Sequence, residues 1–270
     1  MVPSIRCRLV PCLARVLTAG LVAMLSVSAG AEDAQNAAKT GNLVPGPELV
    51  RSLEASVKFM QSATRSASEF NQKAKALENE AYAFAILVQA GRETEEMARK
   101  AGPLTETALA LAAAAKKKNY NDAKNHVAAL ADFKKVESDG TTVEVNFGKS
   151  VPLRNLMEVV RDTDQELKKA TRLTAASWNQ RGKAEEITNY ANRMTALSLA
   201  MLHHTPETDP DAKKGQTAKV WRDTSQETMD ACLELAKAAR SKNANEFKKA
   251  YTAMDKACTR CHDVYRVEED

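Results

Sequence analysis

The chain repeats itself. Phe70-Asn71-Gln72-Lys73 recurs as Trp178-Asn179-Gln180-Arg181 at an offset of 108, and Ala63-Thr64-Arg65 recurs as Ala170-Thr171-Arg172 at 107. Glu78, Tyr82 and Ala83 continue the match as Glu186, Tyr190 and Ala191, and Lys118-Asn119 returns as Lys242-Asn243 at 124. Self-similarity at a near-constant spacing is the mark of one supersecondary unit used twice, with a longer loop in the second copy. The halves are about 47–138 and 152–267, the second running on to the end at 270. Ser138-Asp139-Gly140 is a stop and turn signal between them. Thr142 to Phe147 alternates apolar and polar residues as a short extended segment would, and 139–151 is read as linker.

Each half reads as four helices. In the second, Leu153, Leu156, Met157, Val160 and Leu167 form one apolar stripe, and Ile187, Tyr190, Ala191, Met194, Leu197 and Met201 another. His203 to Gly215, with Pro206 and Pro210, breaks the chain. Trp221, Ser225, Thr228, Cys232, Leu235 and Ala239 then recur in steps of three and four, as do Phe247, Tyr251, Met254, Cys258, Cys261 and Tyr265 after a capping box at Asn243 and Glu246. These seams suit an antiparallel bundle. The first half is expected to carry helices at about 47–75, 78–100, 104–118 and 121–137, with Gly102-Pro103 as its clearest break. The fold class is all-α, two tandem antiparallel four-helix bundles.

Residues 1–31 have the build of a secretory signal: Arg6, Arg8 and Arg15, an apolar run from Val16 to Ser28, and the small residues Ala29-Gly30-Ala31 at a cleavage site. The run is shorter than the roughly 20 residues needed to span a bilayer, so export to the periplasm or beyond is expected rather than stable membrane insertion. Residues 32–46 form a small, polar leader ending where Pro47 can start a helix. Cleavage removes three Arg and no acid, so the formal charge falls from +4 to +1, which argues against nucleic acid as a partner. It also removes Cys7 and Cys12. The three cysteines that remain, Cys232, Cys258 and Cys261, cannot form a closed disulfide framework alone.

Two of them stand in Cys258-Thr259-Arg260-Cys261-His262. Cys-x-x-Cys-His is the attachment sequence of c-type haem, whose two thiols add to the porphyrin vinyl groups while the adjacent imidazole takes the iron. On a helix the three residues fall within roughly 100° of arc, so all can address one flat cofactor. A thioredoxin-like redox motif would follow a strand. A zinc site would need a further ligand from Cys232, His203 or His204.

A four-helix bundle with its only haem motif at the end of the last helix resembles the cytochrome c prime family, the class II c-type cytochromes. The resemblance covers 152–267, carried by the motif, its position and the tail Cys-x-x-Cys-His-x-x-Tyr-Arg; the first half is reached only through its likeness to the second. It implies one covalent haem c, with Cys258 and Cys261 as thioether positions and His262 as the proximal iron ligand. Arg266 stands where the family has a basic residue near the imidazole or a haem propionate; its other reading is a helix-end Arg favoured by the dipole. The distal side comes from the bundle's first helix, where a methionine ligates in low-spin members and an apolar residue leaves iron five-coordinate. Met157 is the candidate ligand, or else core filler, with Leu153, Leu156 and Val160 lining the pocket. The implied role is electron transfer with a redox partner protein; the alternative is capture of a small gas, nitric oxide or carbon monoxide. An enzyme is not expected, since no distal His or Arg pair offers acid-base help.

The first half departs from this pattern. At an offset of 124, Lys134, Glu137 and Ser138 replace the two cysteines and the histidine. It cannot hold haem covalently, and it is expected to stand in for the second subunit of the dimer common in the family, making an intramolecular pseudo-dimer.

Overall fold

Helix α1 (Gly46–Ala63) starts at Pro47, whose missing N–H is no loss in the first turn. It buries Leu49, Ser52, Leu53, Ser56, Val57, Met60 and Ala63, a stripe in steps of three and four. Helix α2 (Ala67–Ala90) is capped by Ser66, whose Oγ accepts from the Glu69 N–H at 3.2 Å. From Ala81 through Val88 every residue of α2 is buried. A helix apolar all round needs neighbours all round, and α2 has them: α1, α3, α6 and α8 all pack on it. Helices α3 (Glu95–Lys116) and α4 (Tyr120–Ala131) complete an up-down bundle in which α4 returns to α1. The computed structural model describes residues 43–92, 94–136, 146–204 and 216–265. The signal sequence, nearly all of the leader, the Ser138-Asp139-Gly140 turn and Arg266 lie outside the described residues.

The second half follows the same order. A short α5 (Phe147–Ser150) leads into α6 (Leu153–Ala170), a four-residue α7 (Ala175–Trp178), α8 (Lys183–Leu202), α9 (Ala218–Arg240) and α10 (Ala244–Tyr265). The described part of the segment read as linker is therefore partly helical, anchored by buried Phe147 and Val151. Helix starts fall at matching positions in the two halves: Pro45 and Pro152, Ser66 and Thr174, Thr94 and Thr217, Asn119 and Asn243. Lys118 and Lys242, each at the tight turn before the last helix of its half, both take the left-handed conformation, at φ 54° and 56°. Such a backbone costs an L-residue about 1 kcal/mol, and both halves use it. The continuous α2 is split in the second half into α7 and α8 by a turn ending at Gly182, at φ 80°.

Two expected boundaries in the first half are displaced. The break after the first helix comes at Thr64–Ser66, and Gly102-Pro103 lies inside α3. Proline within a helix costs about 3 kcal/mol, but Met97, Ala101, Leu104, Ala108 and Leu111 bury a long face of α3, and Gln89 Nε2 of α2 donates to Thr105 Oγ1 at 2.9 Å. Packing on α2 outweighs the local preference.

All these elements belong to one compact unit, Gly41–Asp270. The halves meet through the first two long helices of each, α1 and α2 against α6 and α8. The larger apolar core fills the first bundle and continues into the second through Phe147, Val151, Leu156, Val159, Ala196, Leu197, Ala200 and Met201. The smaller one, around Trp178, Ile187, Cys232, Phe247 and Met254, occupies the opposite end of the second bundle.

At the end where α6 begins, α5 sets the Phe147 ring 6.0 Å from the His203 ring, and a Cβ on Gly148 would lie 2.4 Å from the His203 carbonyl oxygen. Gly148→Ala should therefore displace α5 and lower the unfolding free energy by about 1–3 kcal/mol in urea titration. Gly46→Ala, where nothing lies within 4 Å, should show no comparable loss.

Candidate haem site

Helix α10 carries the motif on its last turns. Its register is fixed further back, where buried Tyr251 donates its hydroxyl to Asp164 Oδ1 of α6 at 2.8 Å. The helices run antiparallel, so at 1.5 Å per residue Cys258 comes level with Met157, and His262 with Leu153. Over this stretch the two bundles differ. In the first, α1 and α4 pack backbone to backbone; in the second, the backbones of α6 and α10 do not pack closely.

We take the space between α6 and α10, beyond the Tyr251–Asp164 bridge, as the candidate cleft. Cys261 is buried and Cys258 half-buried on the α10 side, while His262 is exposed. Opposite them, α6 presents Leu153 (39% exposed) and half-buried Met157 and Val160. Leu153 is exposed there, while Met157 and Val160 lie partly covered at the edge of the larger core, and the smaller core reaches only as far as Met254 and the edges of Val160 and Cys258. A flat apolar group held by two thioethers would supply the missing contacts, so these residues fit a c-type haem.

Leu156, expected on the pocket wall, is fully buried in the core shared with the first bundle. The buried stripe of α6 is Asn155, Leu156, Val159, Thr163, Leu167 and Ala170, rotated from the one read in sequence because α6 packs on α2 as well as α8. The cleft face is Leu153, Met157, Val160 and Asp164.

Burial, with the carboxylates of Asp164 and Asp255 adding to it, pushes the pKa of the Cys258 thiol up to about 12, and burial raises that of Cys261. Thr224 Oγ1 of α9 lies 3.8 Å from the Cys261 sulfur. The end of α10 is pinned by the Tyr265 hydroxyl donating to the Thr217 carbonyl at 2.7 Å, by Gln216 Nε2 donating to the Val264 carbonyl at 2.7 Å, and by an edge contact of Tyr265 with Trp221 at 4.9 Å. Asp164, Thr224 and Tyr265 were not singled out as site residues in the sequence. Asp164 was detectable, because it stands seven residues after Met157 on the same helical face.

Cys232 is fully buried, and burial raises its thiol well above the usual range. His204 is buried, and burial lowers its pKa. Among the described residues no three His, Cys, Asp or Glu side chains converge as a metal site. No described helix is long and apolar enough to cross a membrane.

Among the described residues, the last helix of the first half stops short of the positions that align with the attachment motif. Helix α4 ends at Ala131, matching Asp255, one turn before the attachment residues would begin. A 3-10 turn, Phe133–Lys135, follows and seats Phe133 edge-on against Phe84 at 6.3 Å.

Comparison with known proteins returns one family, Cytochrome C', whose profile matches residues 155–266. No curated protein and no solved structure matches the chain. The matched segment runs from the first turn of α6 past the end of α10 and contains both thiols and the histidine: residues 155–266 of this chain match the cytochrome c prime family, a family of haem-binding c-type cytochromes.

Proposed function

We propose that the chain is an exported electron carrier with one haem, held by thioether bonds to Cys258 and Cys261, with His262 as one iron ligand and Met157 as the other. The observation that carries this reading is the register across the cleft, which sets Met157 level with Cys258. A haem bound there supplies an iron that takes up and releases one electron. The protein's part is positional. Helix α10 holds the thiols and imidazole on one edge, α6 brings a polarisable thioether and two aliphatic side chains to the opposite wall, and the Tyr251–Asp164 bridge closes the inner end against water. The haemless bundle takes the place of a second subunit, a reading supported by the packing of the first two long helices of each half against those of the other.

The alternative, a five-coordinate iron that captures nitric oxide or carbon monoxide, draws on the aliphatic character of Leu153 and Val160. Optical and paramagnetic-resonance spectra of the holoprotein decide between them. A low-spin ferric spectrum with a methionine-to-iron charge-transfer band that disappears in Met157→Ala supports the electron carrier. A high-spin spectrum unchanged by that substitution makes Met157 wall packing and favours gas capture.

A further inference from the structure

The cleft end of α6 is held from behind by the haemless bundle. Leu156 and Val159 are buried in the core that fills that bundle, and Met157 and Val160 pack on its edge, whereas only the far end of α6, at Leu167 and Ala170, lies in the second bundle's own core. Polar contacts with α2 fix the same stretch. Asn155 Nδ2 donates to Glu78 Oε1 at 3.1 Å and to Asn79 Oδ1 at 3.0 Å, and Asn79 Nδ2 donates to Glu158 Oε2 at 3.0 Å. Lys75 Nζ pairs with the same Glu158 oxygen at 3.0 Å and with Glu78 at 3.4 Å. Asn155, Glu78 and Asn79 are all buried, so each bond replaces water that is no longer there, and breaking one strands its partner.

The geometry of α6 turns this grip into a lever. Asn155 and Glu158 lie one turn apart on one side, while Leu153, Met157, Val160 and Asp164 project from about the opposite side at 100° per residue. The Asp164 bond to Tyr251 shows that this second side faces α10. Two contacts a turn apart resist both sliding and rotation of a helix that is otherwise held by its packing on α8 and by the Tyr251–Asp164 bond.

We propose that Glu78 and Asn79 of the haemless bundle are positioning residues for the haem site: acting through Asn155 and Glu158, they set the height and rotation of the distal wall against the cofactor on α10. This rests on α6 being that wall. It gives the first half a task that requires no haem of its own.

The test uses full-length holoprotein and carbon monoxide as the probe. Asn79→Ala and Asn155→Ala should change the rate of carbon monoxide association with the ferrous haem by between about 2-fold and about 30-fold and shift the ferric spectrum. Lys75→Met removes a largely exposed side chain, and should move both readouts less, in the same direction. Glu158→Gln keeps an acceptor for the Asn79 amide and should stay near the parent. Glu48→Gln is the control: Glu48 bridges the bundles through Arg240 Nε at 2.9 Å and Asn192 Nδ2 at 2.7 Å, touching α8 and α9 but not α6, and should change neither readout. Parent-like rates and spectra in folded Asn79→Ala and Asn155→Ala, or an equal change in Glu48→Gln, would overturn the proposal. Should Asn79→Ala fail to fold, an unchanged rate in Lys75→Met would overturn it as well. If Met157→Ala and Val160→Ala leave rate and spectrum unchanged, α6 is not the distal wall and the functional reading fails with it. If those two respond while the α2 variants do not, only the positioning role is lost.

Discussion

Replacing Cys258 and Cys261 together by serine is expected to take covalently held haem from one per chain to none, read by haem staining after denaturing electrophoresis and by peptide mass. Both thiols sit on the cleft side of α10, and no other described cysteine does. Cys232, in the smaller core, is the control: Cys232→Ser should lose stability, because it buries a hydroxyl, and keep its haem. The double variant should also lose stability. Without an anchored cofactor, Leu153, Met157 and Val160 face water across a cleft whose backbones do not pack closely, at about 25 cal/mol for each Å² of apolar surface left uncovered. Covalent haem on the double variant would place the attachment elsewhere and remove the basis of the functional reading.

The second large effect lies between the halves. Arg193 of α8 donates through Nη1 and Nη2 to the two carboxylate oxygens of Glu80 of α2, at 2.7 and 2.8 Å, with both side chains more than four-fifths buried. Glu80→Ala leaves a guanidinium buried without its counter-charge and should cost about 3–5 kcal/mol in chemical denaturation. Replacing both residues by apolar ones of similar volume should recover most of that loss, since removing the pair also removes its desolvation. Burial works against the Glu80 charge, but the Arg193 charge and hydrogen bonds outweigh it and hold the carboxyl below its usual range. A carboxyl with a depressed native pKa binds fewer protons folded than unfolded. Its contribution is complete above the unfolded value of about 4.3 and is lost as the pH falls through the lower, native one. The gap in stability between parent and Glu80→Ala should therefore hold steady from about pH 8 to about pH 5 and narrow only in stronger acid.

What could be read from the sequence was whatever depends on near neighbours. The attachment motif spans five residues, and the three-and-four seams of α9 and α10 came through because each faces a single core. The Ser66 cap followed by Glu69 is an equally local signal for the start of α2, and it competes with the expected break at 75–78. Gly102-Pro103 misled because a helix boundary inferred from proline weighs only the local cost, while α3 is held by its long contact with α2. The rotation of α6 could not be read, because it depends on which helix lies behind it. Asn155, Asn79, Glu78 and Arg193 look like ordinary polar helix residues until the fold brings positions some 77 or 113 apart into contact.

The shared core has a further meaning for the repeat. A lone first half would leave the apolar flank of α2 bare, and a lone second half would lose the packing of Leu156 and Val159 that holds its distal helix. The two units can be told apart along the chain, yet neither is a module that could be lifted out and used elsewhere. Each half depends on the interior they share, so a change in either half becomes a change in both.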